Sequence, residues 1–119
     1  MLTIASRLDA MNRLGRAMAD PTRSRILLTL IDGPGYPAEL SRELGLTRPN
    51  VSNHLACLRA CGIVVAEPEG RQTRYEIADP HLTAALGALV DVTLAVDESA
   101  PCIDPRCAVP GCCDAGEGA

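Results

Sequence analysis

The chain has 119 residues, a net charge of −4, six cysteines and neither Phe nor Trp. That length suits one small domain with an aliphatic core, and the lack of aromatic platforms disfavours single-stranded nucleic acid as a ligand. The whole negative excess lies in residues 97–119, because residues 1–96 hold ten arginines and ten acids. The zero net charge of residues 1–96 is weak support for DNA binding. The DNA-binding interpretation therefore depends on the local placement of the arginines.

The cysteine usage points to metal or redox chemistry. No apolar run approaches the roughly 20 residues of a membrane helix, and the N-terminus lacks the pattern of an export signal. We therefore expect a cytoplasmic protein with no membrane partner. In a reducing compartment six cysteines are better explained by thiol chemistry than by a disulfide framework.

Two helices are predicted in the N-terminal third. Apolar residues recur at helical spacing over residues 4–18. Asp20 and Pro21 have the pattern of a cap followed by a first helical residue, and the second helix continues to Leu30 until residues 32–35 stop it.

A helix-turn-helix is predicted next. Pro37–Leu44 forms a short helix that Gly45 closes, and a longer helix follows almost at once. Thr47 is its predicted N-cap, Pro49 lies in its first turn, and Gly62 provides a left-handed residue at its end. Such a pair can place its second helix in the major groove of DNA. An ordinary helical hairpin within a core is the alternative, and we favour the DNA interpretation.

Steps of about 100° per residue divide this longer helix into three faces. The core face comprises Val51, Leu55 and Leu58. A polar, partly cationic face that a DNA duplex can reach comprises Arg48, Ser52 and Arg59. The third face comprises Asn50, His54, Cys57 and Cys61.

On the third face, Cys57 and Cys61 are four residues apart and therefore one turn apart on the same side, so two thiolates there can hold one ion. The alternative is that both are small buried apolar residues, as many intracellular cysteines are. His54 shares this face, and we favour a structural or DNA-facing role for it over a fourth metal ligand.

A β-hairpin follows, with predicted strands over residues 63–67 and 71–77 and a turn over residues 68–70. Three side chains of its second strand are placed to reach phosphates or the minor groove: Arg71, Gln72 and Arg74. A solvated charged edge is the alternative.

Asp79 and Pro80 cap a last helix that is predicted to run to about Val96 with a broad apolar face. Together with the first helix it is the expected homodimer interface, which suits two DNA half-sites about one helical turn apart. We therefore divide the chain into a domain over residues 1–97 and a flexible, acidic tail over residues 98–119. The tail holds four thiols for which we favour metal or metalloid capture: Cys102, Cys107, Cys112 and Cys113.

Three motifs resemble the ArsR/SmtB family of winged-helix, metal-responsive repressors, over roughly residues 5–96. They are Asp-Pro-Thr-Arg-Ser-Arg-Ile-Leu at 20–27, Val-Ser-Asn-His-Leu at 51–55 and Gly-Arg-Gln-Thr-Arg-Tyr at 70–75. The resemblance implies a mostly α winged helix-turn-helix fold with a small hairpin. It also implies a homodimer that holds double-stranded operator DNA when metal-free and releases it when metal binds.

The resemblance also implies the metal ligands. Residues 39–43 contain no thiol, so the site in the helix before the recognition helix is not matched. The zinc site on the last helix is matched only by Asp79 and His81. The pattern of the cadmium- and lead-sensing members is matched by Cys57 and Cys61 with Cys102 from the tail of the other subunit. Cys107, Cys112 and Cys113 are possible further ligands.

The expected effector is therefore Cd(II) or Pb(II), with As(III) or Zn(II) as alternatives. The side chains predicted to contact DNA are Thr47, Arg48, Asn50, Ser52, Asn53, His54, Arg59, Arg71, Gln72 and Arg74. An arsenite-responsive repressor and a thiol metal buffer that does not bind DNA remain as alternatives. No nucleotide motif or acid–base constellation is visible, so we do not expect an enzyme.

Overall fold

The computed structural model describes residues 6–97 and 99–107. Within them lie five helices and one antiparallel hairpin: α1 (Arg7–Met18), α2 (Pro21–Ile31), α3 (Pro37–Leu44), α4 (Arg48–Ala60), β1 (Val64–Glu69), β2 (Gln72–Ile77) and α5 (Pro80–Val90). The predicted fold class, mostly α with a small β-hairpin, is confirmed. None of the helices in the described residues is both long and apolar enough to cross a membrane.

The ends of the helices follow from their capping residues. The Asp20 carboxylate accepts hydrogen bonds from the backbone N–H groups of Thr22 and Arg23 at 2.8 and 3.1 Å, and Pro21 occupies the first position of α2. Gly45 closes α3 with φ of 67°, and Gly62 follows α4 with φ of 83°, both in the left-handed region that glycine tolerates best. The predicted caps Asp20, Gly45 and Gly62 are confirmed.

The core lies where α2, α3 and α4 meet the start of the hairpin. Its fully buried side chains are Ile26, Leu40, Val51, Leu55, Leu58 and Val64. The predicted core face of α4 is therefore confirmed, and its burial fixes the rotation of that helix about its axis.

A short bridge ties the helix-turn-helix to the hairpin, which forms the wing. Gly35 and Tyr75 exchange two backbone N–H···O hydrogen bonds of 2.8 Å. A Cβ atom at Gly35 would lie only 2.8 Å from Leu30 Cδ2, so any larger residue here would force the buried Leu30 side chain to shift. At the other end of α3, Arg25 Nη2 donates to the Leu44 carbonyl at 2.8 Å.

The last helix is shorter than predicted. It ends at Val90 with Asp91 as its C-cap, so the predicted extension to about Val96 is wrong. Leu94 and Val96 are 77% and 76% exposed and make no packing that would offset the cost of ordering further turns. The β-branched residues Val92 and Thr93 lower the helix propensity further.

Two other boundaries differ from the predictions. The first helix begins at Arg7 after the N-cap Ser6 rather than near residue 4, and residues 1–5 lie outside the described residues. The first strand continues through Pro68 to Glu69, which pairs with Gln72, so the turn contains only Gly70 and Arg71. Proline is tolerated there because each strand of a two-stranded sheet has a free edge.

The Asp20 cap provides a test of this part of the fold. The N–H donors of Arg23 and Thr22 lower the pKa of Asp20. Replacing Asp20 with Ala should reduce the free energy of unfolding by about 1 kcal/mol at pH 7. The contribution of the carboxylate should be fully present above the usual pKa of Asp, about 3.9, and should disappear as the pH falls through the lowered folded value.

Chemical denaturation at several pH values measures this effect. Asp32→Ala is the matched control, because Asp32 is exposed and its side chain accepts no hydrogen bond within the described residues. Equal destabilisation by the two substitutions at pH 7 would contradict the assigned role of Asp20.

Candidate metal and DNA-binding site

Cys57 and Cys61 lie one turn apart at the C-terminal end of α4. The Cys61 backbone N–H donates to the Cys57 carbonyl at 3.0 Å, and Cys61 is the C-cap of the helix. Cys57 is exposed, whereas Cys61 is half-buried and packs against the edge of the core. The alternative of a buried apolar role is therefore excluded for Cys57 and holds only in part for Cys61.

The first two helices surround this pair with arginines. Arg23 Nη1 lies 3.8 Å from Cys57 Sγ, while Nε and Nη2 of the same guanidinium donate to the carbonyls of Ala17 and Arg16 at 3.1 and 3.0 Å. Arg13 donates to Asp9 at 2.9 Å. This interaction raises the pKa of Arg13, and the nearby Cys61 adds a small contribution in the same direction.

The remaining predicted metal ligands are the four thiols that follow α5 in the sequence. Cys102 and Cys107 are half-buried in the segment after α5, and Cys112 and Cys113 lie outside the described residues. No three His, Cys, Asp or Glu side chains come together as a metal-binding group anywhere in residues 6–97 and 99–107. A single chain thus brings together two of the predicted ligands, Cys57 and Cys61.

Two histidines were considered as ligands. His54 is half-buried on α4 and close enough to Asp20 to contribute to the lowered pKa of that carboxylate. His81 Nδ1 lies 3.0 Å from Asp79 Oδ1 at the start of α5. Asp79 has a lowered pKa, chiefly because the His81 backbone N–H donates to it.

A polar groove of about 350 Å³ lies between the helix-turn-helix and the wing. Four of the residues predicted to contact DNA line it: Arg48, Ser52, Arg71 and Gln72. Arg42 in the last turn of α3 lines it as well. Arg42 was not among the predicted contacts, although its place two residues after the apolar Leu40, and therefore on the opposite side of α3, is a signal in the sequence.

The other predicted contact residues are distributed along α4 and the wing. Thr47 is the N-cap of α4 and accepts a hydrogen bond from the Asn50 N–H at 3.3 Å. Asn50 and His54 are half-buried, whereas Asn53 and Arg59 are exposed outside the groove.

Arg74 is engaged within the wing itself. Its guanidinium pairs with Glu67 at 2.7 Å and with Glu69 at 3.3 Å, and Glu69 also accepts the Tyr36 hydroxyl at 2.8 Å. The hydrogen bond to Glu67 is the largest cause of the raised pKa of Arg74. Arg74 therefore differs from Arg71, which is exposed and forms no ion pair within the described residues.

A short helix, a glycine turn, a second helix with an exposed polar face and a hairpin that places Arg71 beside it define a winged helix-turn-helix protein of the DNA-binding class. The comparisons with known proteins agree. Residues 20–65 match the family described as "Bacterial regulatory protein, arsR family". The chain is 62% identical over 108 residues to the HTH-type transcriptional regulator CmtR of Mycobacterium bovis, covering 91% of this chain and 92% of that protein.

Two solved structures are similar. The NMR structure of the cadmium metal-sensor CmtR from Mycobacterium tuberculosis has 64% identity and a TM-score of 0.62, covering 80% of this chain and 99% of that one. The homodimeric winged helix-turn-helix domain of Mb0332 from Mycobacterium bovis has 26% identity and a TM-score of 0.65, covering 76% and 87%. The chain belongs to the ArsR family of bacterial transcriptional regulators.

Proposed function

We propose that this regulator is a cytoplasmic, metal-sensing repressor that binds operator DNA when metal-free and is released when Cd(II) or Pb(II) binds to cysteine thiolates. The observation that carries the proposal is the position of Cys57 and Cys61. Cys57 lies on α4 and Cys61 is its C-cap, and Arg48 and Ser52 of the same helix line the groove beside the wing. A ligand of the thiols therefore acts on the element that contacts DNA, and no catalytic step is needed.

In this proposal α4 enters the major groove and the wing follows the adjacent backbone. Arg48 and Ser52 are placed to approach base edges, while Arg42 and Arg71 are placed to approach phosphates on either side. Asn50, Asn53, His54, Arg59 and Gln72 are the further proposed contacts. Thr47 contributes chiefly by starting the helix, and Arg74 by holding the wing.

The proposed assembly is a homodimer through α1 and α5. Leu8 and Met11 of α1 are 70% and 73% exposed, and Leu89 and Val90 of α5 are also exposed, so both helices present apolar surface in the single chain. The similar domain of Mb0332 is homodimeric. Burial of such surfaces against a second copy is favourable, and it also places two recognition helices for two half-sites.

The tail supplies the third thiol in this proposal. We divide the chain into a DNA-binding and dimerisation domain, residues 1–97, and a tail, residues 98–119. Cys102 of the tail completes the site on the other subunit with Cys57 and Cys61. The absence of any group of three potential ligands within the described residues of one chain supports a ligand from the partner.

The three sulfur ligands favour soft ions, and the similar CmtR of Mycobacterium tuberculosis is a cadmium sensor. As(III) or Zn(II) are the alternative effectors. Cys107, Cys112 and Cys113 are proposed as accessory thiols.

Metal binding and DNA binding are antagonistic in this scheme. A tail drawn across α4 to complete the metal site restrains the helix and brings Asp97 and Asp104 toward the DNA-binding side. Linkage then requires that the metal lowers DNA affinity by the same factor by which DNA lowers metal affinity.

Operator binding in the presence of Cd(II) tests the proposal. We expect Cd(II) to weaken operator binding at least about tenfold, a coupling of ~1.4 kcal/mol, because the loaded site competes with the DNA-bound position of α4. Gel-shift or fluorescence-anisotropy titrations with and without the metal measure it. Cys57→Ser, Cys61→Ser and Cys102→Ser should each remove the response while leaving metal-free DNA binding intact.

Cys107→Ser is the matched control in the tail and should keep most of the response. Equal operator affinity with and without Cd(II), at metal concentrations that saturate the thiolate-to-metal absorption band, would contradict the proposal. Absence of any sequence-specific DNA binding would favour a thiol metal buffer instead.

The wing provides a second test through its two arginines. Arg71→Ala should weaken operator binding and reduce the slope of log affinity against log salt by about one, because it removes one phosphate contact. Arg74→Ala removes a guanidinium that two glutamates already neutralise, so it should change the salt slope less and lower the thermal stability more. A larger change of salt slope in Arg74→Ala than in Arg71→Ala would show that the exposed arginine is not the phosphate contact.

A further inference from the structure

Arg23 is a cation in direct contact with the proposed metal site. Its guanidinium is held by the carbonyls of Arg16 and Ala17 at the end of α1, and the remaining nitrogen, Nη1, lies 3.8 Å from Cys57 Sγ. Because two of its three nitrogens are fixed by the backbone, the side chain is oriented without help from a ligand. Arg23 therefore connects the junction of α1 and α2 to the sulfur on the recognition helix.

Arg23 forms no ion pair within the described residues, although its charge adds a small contribution to the lowered pKa of Asp20. Within the part of the chain that the structure describes, no carboxylate oxygen lies within 4.0 Å of its guanidinium. The neighbouring Asp20 carboxylate caps α2 and accepts from two backbone N–H groups. Arg13, which is near enough to Cys61 to interact with it electrostatically, differs because Asp9 pairs with it at 2.9 Å.

The net charge of the loaded site depends on the metal. Cd(II) displaces three protons from three thiols and forms a tris-thiolate of charge −1, as Pb(II) does. Arsenous acid, As(OH)₃, condenses with three thiols to form three As–S bonds and three waters, and its tris-thiolate is neutral. A fixed cation beside the sulfur stabilises the anionic complex and contributes little to the neutral one.

From this geometry we infer that Arg23 is a specificity-determining residue of the metal site: its guanidinium favours divalent ions, which form an anionic tris-thiolate, over trivalent arsenic. The inference rests on the proposed three-thiol site. Arg23 is a positioning and charge-compensating group, and the sulfurs of Cys57, Cys61 and Cys102 remain the ligands.

A comparison of two metals on one set of variants tests this role. Cd(II) and arsenite are titrated into the full-length dimer by following their sulfur-to-metal absorption bands. The proteins are the parent, Arg23→Gln, Arg23→Lys and the control Arg16→Gln. Arg16 is exposed on α1, and its side chain forms no hydrogen bond or ion pair within the described residues, so this control makes the same charge change without removing a contact to the thiols.

We expect Arg23→Gln to lower the affinity for Cd(II) about tenfold relative to that for arsenite, which corresponds to ~1.4 kcal/mol. Arg23→Lys keeps the charge, so its ratio of Cd(II) affinity to arsenite affinity should stay close to that of the parent. Arg16→Gln should leave this ratio unchanged. If Arg23 had a purely structural role, Arg23→Gln would weaken the binding of Cd(II) and arsenite alike. An unchanged ratio of the two affinities in Arg23→Gln therefore overturns the inference. If Arg23→Gln does not fold, Arg23→Met provides an uncharged side chain of similar length for the same ratio.

The outcome also separates this inference from the proposed function. In one outcome the parent binds Cd(II) through three thiolates and releases DNA, while all variants keep the same ratio of Cd(II) affinity to arsenite affinity. That result refutes only the role of Arg23. A parent that binds no Cd(II), or binds it without Cys57, refutes both.

Discussion

The structure depends on the complete burial of one side of α4. Val51, Leu55 and Leu58 are all 0% exposed, and they pack where α2, α3 and the hairpin converge. Because the side chains of a helix have fixed angular positions, fixing one side also fixes the others. The direction of Arg48 and Ser52 toward the groove, and of Cys57 toward Arg23, follows from the same apolar contacts.

In the proposed function this arrangement couples DNA recognition to metal sensing, because both use side chains held by α4. No long path between the two proposed sites is needed, because Cys57 and the proposed DNA contacts of α4 lie on one helix of 13 residues, whose C-cap is Cys61. A two-state response then requires only that the loaded site and the DNA favour different positions of that element. The α1–α2 junction participates through Arg23, which contacts both the end of α1 and the recognition helix.

Much of the fold was predictable because local signals agreed with the global arrangement. Pro37–Leu44 and the caps Thr47, Gly45 and Asp20 were predicted as observed, since capping chemistry is local. The end of α5 was predicted wrongly, because the apolar pattern of the sequence continues past Val90 while the residues that follow have no surface to pack against within the described part of the same chain. The contact of Arg23 with Cys57 joins residues 34 positions apart and leaves no periodic signal in the sequence.

Mixing of subunits tests most directly whether the sulfur ligands come from two chains. One protomer carries Cys57→Ser and Cys61→Ser, the other carries Cys102→Ser, and neither homodimer has a complete site. Dimers formed from both should regain one Cd(II) site with tris-thiolate absorption, because the intact pair of one chain meets the intact tail of the other. If mass spectrometry shows mixed dimers and that absorption does not return, the shared site is contradicted.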